Sequence, residues 1–144
     1  MRIENMAFRI TKETSNQEIF DYVVSHLRAQ GARSLNDENE CTYRSVDGYS
    51  CAVGCLIPDD LYTPSLEGRL VNQIREDSTF NLQTKYLGLQ SLDRAALLQR
   101  LQRIHDNGSH WSDKGFCGKN AVRSVASMLR LVYKEPTKSH LETA

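Results

Sequence analysis

The chain has 144 residues, of which 40% are hydrophobic and 25% charged, with a formal net charge of zero. That length suits a single domain able to bury its own core without a metal or disulfide staple, and the balanced charge supplies no field to draw duplex nucleic acid or an anionic membrane. No apolar run approaches a membrane span, and the opening MRIENMAFRITKE lacks the apolar stretch of a secretory signal, so a cytoplasmic protein with four reduced cysteines is expected.

In chain order, AFRIT is short enough and mixed enough to add only an N-terminal edge strand. Ser15 and Glu18 form a capping box, in which hydroxyl and carboxylate each satisfy a backbone N–H. Ile19, Phe20, Val23, Val24 and Leu27 then recur on one helical face, and Gly31 supplies the stop, which predicts a helix over 16–30. LNDENE reads as a polar loop. Two β-rich runs follow, about 41–46 and 49–55, split by Asp47-Gly48, a pair suited to a type I′ turn. Pro58 and Thr63-Pro64 each open a tight turn, and RLVNQIRED reads as a short helix. Residues 78–90 carry no readable period. SLDRAALLQRLQRIHD predicts a helix over 91–106 capped by Ser91, and a loop holding Trp111 leads to a last helix over 118–134. In that helix Val122, Val125, Leu129 and Val132 would form the buried stripe. Pro136 ends it, leaving 136–144 as a frayed tail. The fold class is therefore α+β, with a hairpin packed against three main helices in one domain spanning 1–135.

Three of the four cysteines fall in CTYRSVDGYSCAVGC. A two-residue turn at 47–48 sets Val46 opposite Tyr49 and Arg44 opposite Cys51, with Cys41 on the other face. Cys51 and Cys55 would then lie roughly 13 Å apart along an extended strand, too far to share an ion or a disulfide. No metal or other cofactor is expected. The sharper reading is a nucleophile, with Arg44 favouring the Cys51 thiolate and His105 acting as base if its helix packs on the hairpin. The plainer one makes Cys51 core filling and His105 a core-edge histidine bonded to backbone.

Charge is segregated: residues 36–60 hold six carboxylates against Arg44, and residues 114–138 hold six cations against Glu135. On a continuous helix Lys119, Arg123, Arg130 and Lys134 fall within a sector about 60° wide, a stripe able to grip a compact anion or an acidic protein face. Tyr43, Tyr49 and Trp111 offer rings that can stack on a base or anchor a partner. The candidate ligand-binding set is thus Tyr43, Arg44, Tyr49, Trp111, Lys119, Arg123 and Arg130. The plainer reading is a solvated helix face and rings that close a small core.

The fragments CTYR (41–44), DGYSCAVGCLIPDDLY (47–62), EG (67–68) and LQRIHD (101–106) together resemble a family of small phage, prophage and bacterial proteins, over roughly residues 16–111. The resemblance implies a compact α+β domain of phage origin and carries no catalytic residues with it. Small phage proteins without a catalytic signature often act stoichiometrically on the host. The leading expectation is a non-enzymatic binder that counters host immunity by sequestering a nucleotide-like immune signal or blocking a host defence protein. The alternatives are a small hydrolase or transferase using Cys51 and His105, and a host-takeover or DNA-metabolism adaptor. Self-association is permitted by an exposed strand and not required.

Overall fold

The computed structural model describes residues 8–134. It is an α+β structure of five helices and one two-stranded antiparallel hairpin. In chain order these are α1 (Asn16–Gln30), α2 (Val71–Glu76), α3 (Asn81–Leu87), α4 (Leu92–Asp106), β1 (Trp111–Ser112), β2 (Gly115–Phe116) and α5 (Lys119–Leu129). Four 3-10 turns link them, at Gly54–Leu56, Pro64–Leu66, Ser78–Phe80 and Gly108–His110. α4 is the central element and packs against α1, α2 and α5.

α1 forms as its sequence dictates. Ser15 Oγ accepts from the Glu18 N–H at 3.1 Å, and Glu18 Oε1 accepts from the Ser15 N–H at 2.8 Å. All five residues of the predicted face are buried, and Gly31 closes the helix at φ 73°. α4 starts at the Ser91 cap and buries Leu97, Leu98, Leu101, Ile104 and His105, so these two helices each contribute a full buried face to one continuous core. The unreadable stretch 78–90 becomes a 3-10 turn running into α3, which Gly88 stops at φ 71°.

Four expectations are corrected. Phe8–Thr11 forms no strand, and Ala7 lies outside the described residues, as does the tail 136–144. The last helix ends at Leu129, well before Pro136. Arg130 turns left-handed at φ 60°, Leu131 N–H caps back to the Ala126 carbonyl, and the Gln17 side chain holds both backbone groups of Val132 at 2.8 Å. Val132 is accordingly exposed, and Arg130 and Lys134 do not continue the helical face of Lys119 and Arg123.

Nor do residues 41–46 and 49–55 form strands. Only isolated bridges remain, Leu35 to Cys41 and Arg44 to Ser50. The Ser45 carbonyl accepts from the Gly48 N–H at 3.1 Å and the Ser45 N–H donates to the Tyr49 carbonyl at 2.9 Å. Gly48 alone takes a positive φ, at 89°, whereas a type I′ turn needs one at Asp47 as well. The loop therefore holds three residues, the register slips by one, and Arg44 meets Ser50 instead of Cys51. A one-residue slip reverses the side-chain faces. After Cys51 the chain coils into the Gly54–Leu56 turn, which takes Cys51, Ala52 and Val53 fully into the core. The hairpin proper lies at β1 and β2, in a stretch that reads as loop because each strand has only two residues.

Candidate functional site

The fragments that carry the resemblance converge on one hydrogen-bonded lattice beside α4. The Glu67 carboxylate accepts from the backbone N–H groups of Tyr43 (2.9 Å) and Arg44 (3.1 Å) and from the Tyr62 hydroxyl (2.7 Å). Burial, reinforced by that carboxylate, pushes the Tyr62 phenol up to about 12. Arg44 lies over the Tyr62 ring at 4.3 Å, donates to the Ile57 carbonyl at 2.8 Å and pairs with Asp59 at 2.9 Å. The Tyr43 hydroxyl donates to the Arg69 carbonyl inside the core, where burial raises its pKa. From α4, Gln102 accepts from the Val53 N–H and donates to Asp106.

His105 is fully buried. Its Nε2 accepts from the Ser34 N–H at 3.0 Å, so the proton sits on Nδ1, which donates to Asp106 Oδ1 at 2.7 Å. Trp111 Nε1 donates to the His105 carbonyl at 2.8 Å, and the two rings meet edge to face. The plainer histidine reading thus holds, through a backbone N–H rather than a carbonyl.

Cys41, His105 and Asp106 bring a sulfur, a ring nitrogen and a carboxylate oxygen within 4.8 Å of one another. These are the donor types of a transition-metal site. The imidazole nevertheless has no lone pair to give. A cation on Nδ1 would force the ring proton onto Nε2, directly against the Ser34 N–H. Burial, with Asp106 close by, pushes the Cys41 thiol up to about 11, which disfavours the thiolate a metal needs. The residues present do not fit a metal and instead tie the 33–42 loop to the end of α4.

Cys51 and His105 are not brought together as nucleophile and base. Both ring nitrogens have other partners, Arg44 is turned toward Asp59, and Cys51 Sγ accepts from the Gly54 N–H at 3.2 Å. Burial pushes the Cys51 thiol up to about 12. At pH 7.5 a maleimide is therefore expected to label exposed Cys117 first and to reach Cys51 only on unfolding, with peptide mass mapping as the readout. Fast labelling of Cys51 in the folded protein would restore the nucleophile reading.

The rest of the candidate set is dispersed. Tyr49 is 39% exposed. Lys119 and Arg123 are exposed on α5, Arg123 lies 5.8 Å from the Tyr133 ring, and Arg130 caps the helix. Of the seven, Arg130 borders a cleft of about 310 Å³, which is also lined by Asn16, Asp93, Leu97, Met128, Leu129 and Leu131.

A second cleft, of about 400 Å³, is lined by Ile10, Thr11, Lys12, Lys85, Tyr86, Gly88, Ser91 and Arg94. Its lining holds three cations and no carboxylate. Arg94 is half-buried, and its three donor nitrogens reach the Asn16 side-chain oxygen and the carbonyls of Leu87 and Thr14. All are neutral; among the described residues neither Arg94 nor Lys12 nor Lys85 forms an ion pair. Partial burial lowers the Arg94 pKa from its ordinary value. Gly88 makes the arrangement feasible, since a Cβ there would lie 2.8 Å from Arg94 Nη1. No spacing rule points to residues 12, 85 and 94, which belong to three different segments of the chain.

No protein-family model matches the chain, and neither the curated proteins nor the solved structures contain a match to it.

Proposed function

We propose that this protein is a non-enzymatic binding protein of the phage type, acting in the host cytoplasm to counter host immunity by sequestering a compact, nucleotide-like anion. The observation that carries the reading is the cleft at Lys12, Lys85 and Arg94, whose three positive charges have no carboxylate among its lining residues. Its volume lies in the range of small-molecule sites. Ser91 adds a hydroxyl to the cations, and Ile10 and Tyr86 add apolar surface beside them, a mixture suited to a phosphorylated organic molecule more than to bare phosphate. Phage origin rests on the sequence resemblance, and immune evasion on the way small phage proteins without a catalytic signature commonly act. A protein partner is the second reading. It is favoured by Met128, Leu92 and Val132, each more than half exposed, at and beside the cleft at the end of α5.

The test is thermal unfolding with inorganic phosphate, pyrophosphate and a panel of mono-, di- and cyclic nucleotides. A probe at about one hundred times its Kd adds about 2.7 kcal/mol of stability, a rise of several degrees in Tm. Lys12→Glu and Lys85→Glu should each weaken binding by about tenfold or more, because each replaces a charge-assisted contact with a repulsion. No shift with any probe, together with capture of a host protein that Met128→Asp abolishes, would transfer the function to the second surface.

A further inference from the structure

We infer that residues 8–14 form a strap whose docking completes the cationic cleft and is coupled to anion binding; this rests on the assignment of that cleft as the binding site. From Phe8 to Thr11 the strap has no regular secondary structure. It ends in a small turn in which the Thr14 N–H donates to the Thr11 carbonyl (3.2 Å) and the Thr11 N–H to Thr14 Oγ1 (2.9 Å). The Ser15 capping box then begins α1, so a rigid helix follows the turn directly and the turn is the natural hinge.

Four kinds of contact hold the strap. Phe8 stacks on Tyr22 at 4.2 Å. Arg9 pairs with Asp60 at 3.0 Å, both side chains more than half exposed. The Ile10 N–H donates to Tyr86 Oη at 3.0 Å above a buried Ile10 side chain. Arg94 Nη2 donates to the Thr14 carbonyl at 3.0 Å. The exposed ion pair and the single ring stack are weak restraints, so docking of the strap turns on the buried Ile10 side chain and the hydrogen bonds at Tyr86 and Arg94.

Ile10, Thr11 and Lys12 are strap residues, and they supply one wall of the cleft and one of its three cations. Lifting the strap removes that wall. An anion held by Lys12 therefore binds the docked state preferentially, and its apparent affinity scales with the docked fraction. Tyr86 is the pivot: its hydroxyl accepts from Ile10 and donates to the Leu56 carbonyl at 2.6 Å, which links the strap to the core.

The experiment uses the full chain with pyrophosphate and with adenosine 5′-diphosphate as probes. Trypsin cleavage after Arg9 and Lys12, and amide exchange at residues 10–12, should slow severalfold when a probe is bound. Phe8→Ala and Asp60→Asn, which leave the cleft-lining side chains unchanged, should each weaken binding by about two- to tenfold. If the wild-type protein binds a probe but strap protection and variant affinities do not change, the coupling is wrong and the cleft stands. If the wild-type protein binds neither these probes nor any nucleotide of the panel above, the cleft assignment fails and the coupling fails with it.

Discussion

Gly54→Ala is expected to abolish the fold or to cost roughly 4 kcal/mol or more. A Cβ at this position would lie 2.0 Å from the Tyr43 carbonyl oxygen and 2.8 Å from its carbon. Both are backbone atoms, so no rotamer change relieves the clash. Tyr43 is fixed on both sides of its peptide plane. Its carbonyl accepts from the Cys51 N–H at 3.2 Å, its N–H is held by Glu67, and its ring is buried. Displacing it would disturb all three together. Gly68→Ala is the control. Its φ of 80° makes a side chain costly by about 1–2 kcal/mol, but nothing lies within 4 Å of a Cβ there. Circular dichroism melts should show Gly68→Ala a few degrees below wild type and Gly54→Ala at least about 10 °C below, or insoluble. A well-folded Gly54→Ala with nearly native Tm would mean that the 43–54 approach is wrong.

The second large effect is expected at Glu67, which joins the 41–44 and 58–67 segments through three hydrogen bonds. Glu67→Ala leaves two backbone N–H groups and the Tyr62 hydroxyl without their acceptor, and each orphaned buried group costs about 1–3 kcal/mol. All three bonds are only partly buried, which holds the sum near the lower end, a loss of about 3–5 kcal/mol. Glu67→Gln keeps one acceptor oxygen for Tyr43 but presents an N–H to Arg44, and should lose about half as much. Urea melts resolve the order wild type, Gln, Ala. Equal stability of Ala and Gln would show that bulk, not the acceptor pair, is what the position supplies.

These two sites bear on how much could be read from the residues alone. Glu67-Gly68 belongs to the fragments that mark the sequence, yet nothing in its neighbourhood shows that its carboxylate bridges Tyr43 and Arg44, some 23 positions earlier. The same holds for Gly54, which reads as a weak strand residue and is in fact the point of closest backbone approach. Asp47-Gly48 was legible as a turn but not as to its type. The choice between two and three loop residues depends on whether Asp47 adopts a positive φ, and burial of Cys51, Ala52 and Val53 favours the slipped register. That slip removed Arg44 from Cys51 and dissolved the proposed nucleophile. The cationic cleft was beyond sequence reasoning for a related reason. Lys85 lies in the stretch without a period, and Arg94 reads as one more surface cation on an amphipathic helix until its neutral partners are seen.

By itself, the sequence determined the two long helices, their caps and the faces they bury. Hydrophobic spacing and a capping box act between residues three or four apart, and the local energetics agree with the final structure at α1 and α4. The end of α5, the register of the 41–55 segment and the gathering of Lys12, Lys85 and Arg94 were decided only in the tertiary structure. Each depends on backbone groups finding acceptors or donors contributed by distant segments: Gln17 for Val132, Glu67 for Tyr43 and Arg44, and Thr14 and Leu87 for Arg94. Such pairings are selected by burial of the whole chain, and no local pattern encodes them.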